Sequence, residues 1–194
     1  SFVKTGGGNL ILYANNHDYY QPACVSNGTL TVHGRLISPL EIVAGATLTG
    51  AGRVGPVRGT GTVALDKTIL TAPAAIGLNY AFVFSAATPA YHQATTSGNA
   101  VLRLLSIRPG GAPPVIDIYL DMPPLAVGDT LRGGFFVECG QDLSSFLANA
   151  TVRFFEPNDG GDIQFAGRFY APYNGALGLT VTAMPEAADF GDGP

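Results

Sequence analysis

The side chains best suited to chemistry in this chain lie in two loops. The first loop holds His17, Asp18, Tyr19 and Tyr20. Tyrosine offers both a stacking surface and a hydroxyl group to a sugar or a neighbouring protein. The same loop could instead pack across the edge of a repeat or at a subunit contact. These four residues are therefore a candidate ligand site, with a packing role as the alternative.

The second loop has the composition of a calcium site. Asn158, Asp159 and Asp162 supply oxygen ligands around Gly160 and Gly161, although their spacing does not match a complete EF-hand loop. Asn, Asp and Gly also form ordinary turns. Calcium is thus the one cofactor that the sequence raises, and a plain turn is the alternative.

No catalytic signature accompanies these loops. The sequence contains no Gly-x-Ser-x-Gly elbow, no His-Glu-x-x-His, no Cys-x-x-Cys and no phosphate loop. Carboxylates such as Asp117 and Asp121 could form a glycosidase pair. They share the polar face of one alternating segment, however, where solvated side chains are ordinary. We expect a protein without catalytic residues that is not an enzyme.

The two cysteines leave three possibilities open. Cys24 lies in the tyrosine loop and Cys139 follows a predicted strand. In an exported protein they could form a disulfide across 115 residues, which would stabilise the fold by restricting the unfolded chain. Both could instead be buried thiols, or each could bond to another subunit.

Composition limits the class of protein and of partner. Charged residues make up 12% of the chain, and it contains 26 glycines and 14 prolines, which favours strands and turns over long surface helices. A net charge of −4 with only two lysines gives no electrostatic basis for binding nucleic acid. No apolar run is long enough for a membrane span. Because the chain starts at Ser1 without methionine, we expect a processed piece of a longer precursor.

The N-terminal third repeats one short pattern. A small residue and a polar residue precede Leu10, Leu30, Leu48 and Val63, and these openings recur every 15 to 20 residues, about one coil of a β-solenoid. The pattern predicts a β-helix over residues 1–72. We expect its inward ladder to include Leu10, Leu30, Ile42, Leu48 and Val63.

The pattern changes near residue 73. The later segments are longer and richer in aromatic residues, as in Tyr80, Phe82 and Phe84, and they alternate cleanly between the loops. About seven such segments predict an antiparallel β-sandwich or jelly-roll over residues 73–186, which would cap the solenoid. Only residues 141–149 could hold a helical turn. Residues 187–194 are predicted to be a linker or docking tail, with Phe190 as its anchor.

The first third of the chain resembles a known family of repeats. Residues 2–12, the pair Ala14–Asn15, residues 25–34 and residues 39–55 are similar, in order and composition, to the autotransporter-associated β-strand repeat of bacterial surface proteins. The resemblance implies a right-handed β-helix from a large secreted or surface-exposed, adhesin-like protein whose repeats are structural. Residues 17–24 depart from the usual Thr/Gly-rich loop, so contacts there cannot be carried over.

Two functions follow as expectations. The favoured one is a non-catalytic structural module of a bacterial cell-surface or extracellular assembly, such as an adhesin, fibre, sheath or matrix. It would form a homo-oligomer or filament through strand edges and through Phe2, Leu10, Leu12 and Phe190. The alternative is a β-helix that binds surface glycans or cleaves polysaccharide.

Overall fold

The chain forms a coil of short strands that stack into three parallel sheets. The computed structural model describes residues 1–16, 19–85, 100–121, 130–134, 137–155, 162–163 and 177–180. Each turn of the coil contributes one strand to each sheet in the same order, so that sequence-distant strands become neighbours. The described part of the chain is all-β apart from one short helix.

The first three coils contain the shortest strands. They are β1 (Phe2–Lys4), β2 (Asn9–Leu12), β3 (Asn15–Asn16), β4 (Ala23–Val25), β5 (Thr29–Val32), β6 (Arg35–Leu36), β7 (Leu40–Ile42), β8 (Thr47–Thr49) and β9 (Arg53–Val54).

Coils four to six continue the same order. Their strands are β10 (Val57–Gly59), β11 (Thr62–Asp66), β12 (Ile69–Thr71), β13 (Ala74–Ile76), β14 (Asn79–Ser85), β15 (Val101–Leu104), β16 (Ser106–Arg108), β17 (Val115–Asp121) and β19 (Val137–Cys139). β18 (Thr130–Gly134) lies between β17 and β19. Helix α1 (Ser144–Ala148), β20 (Thr151–Phe155), β21 (Asp162–Ile163) and β22 (Leu177–Thr180) follow.

The three sheets are built from every third strand. Sheet 1 has the order β1-β4-β7-β10-β13-β16, sheet 2 the order β2-β5-β8-β11-β14-β17-β20-β21, and sheet 3 the order β3-β6-β9-β12-β15-β19. All neighbours are parallel except β20 and β21, which are antiparallel, and β18 and β22 form a separate antiparallel pair. β-Helix geometry therefore extends well beyond residue 72.

The core is a set of side-chain columns along the coil axis. In sheet 2, Leu10, Leu30, Leu48, Val63 and Tyr80 occupy successive register positions, and all but Leu10 are buried. Four of the five ladder residues predicted from sequence are in this column. Ile42 is also buried, but it belongs to sheet 1, where it aligns with Val25.

The predicted antiparallel β-sandwich over residues 73–186 is wrong. Tyr80 pairs in register with Val63 before it and Ile116 after it, both in parallel, so these strands continue the coil. A period-two alternation places side chains on two faces in parallel and antiparallel sheets alike. The Pro- and Gly-rich segment of residues 109–111 is the corner between β16 and β17 of the sixth coil.

Small residues are required where one coil corner lies on the next. Gly28 has φ +69°, and a Cβ added there would meet the carbonyl oxygens of Gly6 and Gly8 in the coil above. Gly50 has φ +119° and lies against the backbone of Val32 in the same way. Glycine adopts a positive φ without strain and lacks a Cβ, and this explains why glycine occupies these corners.

Candidate functional site

The first coil leaves the outer edges of three strands unpaired. β1, β2 and β3 are each the terminal strand of their sheet, and no described residue hydrogen-bonds to their outer edges. Side chains of Phe2, Leu10 and Leu12 pack against the core but remain half-buried, because nothing described covers them. We call these three strand edges, with Phe2, Leu10 and Leu12, the first-coil edge.

Backbone hydrogen bonds show which amides face this edge. At the start of each sheet-2 strand, one amide donates to the coil before it: Thr29 N to Gly8 O (3.1 Å), Thr47 N to Gly28 O (2.9 Å) and Thr62 N to Ala46 O (3.0 Å). Asn9 holds the same register position in the first coil. Its amide therefore points to the first-coil edge, as does that of Ile11 two residues later.

Charged side chains do not protect the edge. The outward residues of β1 and β2 include Val3, which is 53% exposed, and Ile11, which is 44% exposed. Lys4 is the one charged residue on these strands, and it is turned inward and buried. Its ammonium group donates to the carbonyl oxygens of Thr5 (3.0 Å), Gly6 (2.6 Å) and Asn27 (3.0 Å). Lys4 therefore links the corners of the first two coils, and its charge does not face an added strand.

The glycine turn of the first coil is open on its outer side. A Cβ built at Gly6, Gly7 or Gly8 meets no atom within 4 Å. Gly28 and Gly61 lie just before the sheet-2 strand, as Gly8 does, and both are closed by the coil above. The outer side of the first coil therefore has the same shape as the surfaces on which neighbouring coils stack.

The opposite end of the stack differs from the first coil. Helix α1 follows β19 and takes the place of a further sheet-1 strand, with Leu143 and Phe146 buried. The Phe146 ring lies edge-on to Tyr80 at 5.9 Å, and Gln141 Nε2 donates to the carbonyl oxygen of Ile107 in β16 (2.7 Å). Sheet 2 ends in the antiparallel strand β21.

Only Tyr19 and Tyr20 of the predicted tyrosine site are among the described residues. Tyr19 is half-buried and packs against the core, and its hydroxyl group is buried without a hydrogen-bond partner. Tyr20 is 68% exposed. The two tyrosines therefore lie in different environments, and His17 and Asp18 lie outside the described residues.

The predicted calcium loop falls almost wholly outside the described residues. Asn158 and Asp159 lie outside them, and of Asp162 only the backbone is described, as part of β21. Among the residues whose side chains are described, no group of three or more His, Cys, Asp or Glu could hold a metal ion. Phe190 and the predicted tail also lie outside the described part.

Both thiols are free, and the fold does not bring them together. Cys24 is in β4 of the second coil and Cys139 is in β19 of the sixth. Four strand spacings separate them by about 19 Å along the axis, whereas a disulfide requires Cα atoms within about 7 Å. An intrachain disulfide is therefore excluded in this fold, and Cys139 is a buried thiol.

Two of the described carboxylates on the strands link neighbouring coils. Asp117 accepts hydrogen bonds from Arg153 Nε (2.7 Å) and Nη2 (2.8 Å), and Glu138 accepts one from Arg103 (2.8 Å). Asp117 and Arg153 are in register in β17 and β20. Beside them, the rings of Tyr119 and Phe155 stack at 4.9 Å.

Tyr80 is the most strongly perturbed titratable group described. Burial, with a smaller contribution from Cys139 nearby, raises the pKa of its hydroxyl group far above the usual value. That hydroxyl has no hydrogen-bond partner among the described residues. Tyr80 therefore stays protonated as a core side chain and has no access to a substrate.

From the sequence, Arg35 and Arg53 are among the few charged residues of the repeats and form no repeated array, but the structure places them side by side. They pair in register on β6 and β9, each directly after a corner glycine, Gly34 or Gly52. The two arginines are 18 residues apart, the same separation as Leu30 and Leu48. The repeat spacing could therefore have placed them side by side.

Comparison with protein-family models, with curated proteins and with solved structures finds no match for this chain. The similarity to the autotransporter-associated repeat therefore rests on the residues quoted above and stays an interpretation. In the described part of the chain, no helix has the length and apolar character needed to cross a membrane.

Proposed function

We propose that this chain is a non-catalytic structural module of a bacterial cell-surface or extracellular assembly, and that it self-associates through β-strand edges. The observation that carries the proposal is the first-coil edge: three terminal strands, half-buried apolar side chains and no outward charge. Assignment to a bacterial surface draws on the sequence resemblance alone.

Unprotected strand edges are a liability that proteins usually manage. Outward lysines, prolines, bulges or covering segments block the addition of strands. None of these devices is found on β1, β2 or β3 in the described residues, where the single lysine faces inward. An added strand would gain backbone hydrogen bonds and bury apolar surface at the same time.

The occupant we propose is a second copy of this chain. Its strands would meet the outward amides of Asn9 and Ile11 and cover Leu10 and Leu12. Burial of apolar surface contributes about 25 cal/mol per Å², so covering the half-buried side chains of Leu10 and Leu12 favours association. The rest of the described coil is already paired within the chain, which directs association to its ends.

A valine at Gly8 tests the proposal. Open space surrounds Gly8, so Gly8→Val leaves the monomer folded but places a branched side chain where a stacked backbone must approach. In sedimentation velocity, wild-type protein should sediment faster as its concentration rises, and Gly8→Val should stay monomeric. Gly111→Val is the matched control, since Gly111 also has no atom within 4 Å of its Cβ position, and should behave as wild type.

Salt distinguishes edge pairing from charge-driven clustering. Because the first-coil edge carries no outward charge, association should persist at about 1 M NaCl, where charges are screened within about 3 Å. A wild-type chain that stays monomeric at all concentrations, or a Gly8→Val variant that associates like wild type, would overturn the proposal.

A further inference from the structure

Two arginines lie side by side on the outer face of sheet 3. Arg35 in β6 and Arg53 in β9 are register partners, and the next residues, Leu36 and Val54, are also partners and are buried. Since alternate residues of a strand face opposite sides, the arginines face outward. Neighbouring parallel strands place their Cα atoms about 4.8 Å apart.

Neither arginine has an acidic partner among the described residues. The described ion pairs join Arg58 to Glu41, Arg103 to Glu138 and Arg153 to Asp117. Arg35 is half-buried, and its Nε atom is buried without a hydrogen-bond partner. Like charges directly opposite each other are destabilising, and a buried donor without an acceptor adds to the cost.

The neighbouring positions in the column are polar and uncharged. Asn15 aligns with Arg35 on one side, and Thr71 aligns with Arg53 on the other. These four residues form a continuous outward column over four coils, which we call the arginine column. Beyond Thr71 the register continues to Arg103, which already has an acidic partner. Within the arginine column, Asn15 and Thr71 can hydrogen-bond to hydroxyl groups, and the two arginines between them carry unpaired positive charge.

Charge along the chain favours an anionic occupant here. Residues 1–72 contain five Lys or Arg and three Asp or Glu, whereas residues 73–194 contain five and eleven. The coils that carry the arginine column are thus the positively charged part of a chain whose net charge is −4. A negatively charged ligand would supply the acidic partner that the described part of the protein does not give these arginines.

We propose that the arginine column binds an acidic polysaccharide through its carboxylate groups. A guanidinium group is a planar fork that pairs with a carboxylate through two hydrogen bonds. Two such groups in series along the coil axis suit a chain-like ligand with carboxylates in series, while Asn15 and Thr71 can contact sugar hydroxyls. Nucleic acid is a poorer fit, because its affinity depends on neutralising many phosphates.

The test is affinity electrophoresis of the full chain in gels that contain polygalacturonate. Neutral dextran at the same concentration is the reference gel. Wild-type protein should be retarded by polygalacturonate and not by dextran. Arg35→Gln and Arg53→Gln should each bind about tenfold more weakly, a loss of about 1.4 kcal/mol.

Arg58→Gln is the matched control. It makes the same change of charge at an exposed arginine that already pairs with Glu41, and its affinity should stay within about twofold of wild type, since nothing in the column is removed. Thermal unfolding by circular dichroism shows that each variant is folded. Because a repulsion is removed, Arg53→Gln should unfold at or above the wild-type temperature.

Three results would overturn the proposal. The first is equal mobility of wild-type protein in polygalacturonate and dextran gels. The second is an Arg58→Gln variant that loses as much affinity as Arg53→Gln, which would indicate a response to net charge alone. The third is tighter binding to single-stranded oligothymidylate than to polygalacturonate under the same conditions.

Discussion

Leu30 lies in the sheet-2 ladder between Leu10 and Leu48, and no part of it is exposed. A single coil can bury its inward-facing side chains only against neighbouring coils. One ladder residue therefore stabilises the coils on both sides of it. Burying a leucine side chain stabilises a protein by about 1.5 to 3 kcal/mol. Stability of the early coils therefore depends on single ladder positions.

Leu30→Asp should unfold the coil, because it buries a charge without a partner. Ile76→Asp is the control, since Ile76 is 43% exposed on the outer face of sheet 1 and its carboxylate would remain in water. Circular dichroism during heating should show no cooperative transition for Leu30→Asp and a nearly unchanged one for Ile76→Asp. A wild-type transition in Leu30→Asp would show that the ladder assignment is wrong.

At the scale of elements, corners and the short helix hold the strands in place. Gly28→Ala forces a Cβ against the carbonyl oxygens of Gly6 and Gly8, at a backbone angle that alanine disfavours. We expect it to lose about 1 to 3 kcal/mol of stability. Gly111→Ala, in open space, should be neutral or slightly stabilising. Urea denaturation of the two variants compares them, and equal midpoints would contradict the corner geometry.

Helix α1 begins beside a carboxylate whose titration can be followed. Asp142 Oδ1 accepts hydrogen bonds from Ser144 Oγ (2.7 Å) and Ser144 N (2.8 Å), and these hold the pKa of the Asp142 carboxyl below its usual value. A lowered folded-state pKa stabilises the fold above the unfolded pKa of about 3.9, and this stabilisation is lost as the pH falls through the lower folded value.

Asp142→Asn should therefore be less stable than wild type at pH 7. The difference should shrink as the pH falls below about 4. Urea denaturation of both proteins along a pH series measures it. A difference that stays constant down to the acid limit would mean that Asp142 does not act through its charge.

The sequence predicted some elements and missed others for physical reasons. Recurrence of Leu10, Leu30, Leu48 and Val63 located the early coils, because stacked coils require equivalent residues at each turn. Tyr80 continues that ladder 17 residues after Val63, but Ile116 follows only 36 residues later, and alternation alone does not reveal strand direction. The open first-coil edge is recognised only once the order of strands in each sheet is known. The alignment of Arg35 with Arg53 needs the register of β6 and β9 as well as the 18-residue spacing.

At the scale of the whole molecule, the two ends of the described coil differ. At the far end, Phe146 of helix α1 packs on Tyr80 and β21 ends sheet 2, while β19 is the terminal strand of sheet 3. At the near end, the described residues add no strand beyond β1, β2 and β3. This difference supports the proposal that the chain associates through the first-coil edge. The arginine column lies on a side face over the first four coils, so both surfaces can be occupied at once.

Hydrogen exchange at the amide of Asn9 tests the central claim most directly. Thr29, Thr47, Thr62 and Asn79 hold the equivalent register position in later coils, and their amides donate to the coil before them, so they are the internal reference. In dilute protein, Asn9 should exchange fast and the four reference amides slowly. At concentrations where the protein associates, Asn9 should become protected to a similar degree. An Asn9 amide that exchanges fast in associated protein would contradict self-association through the first-coil edge.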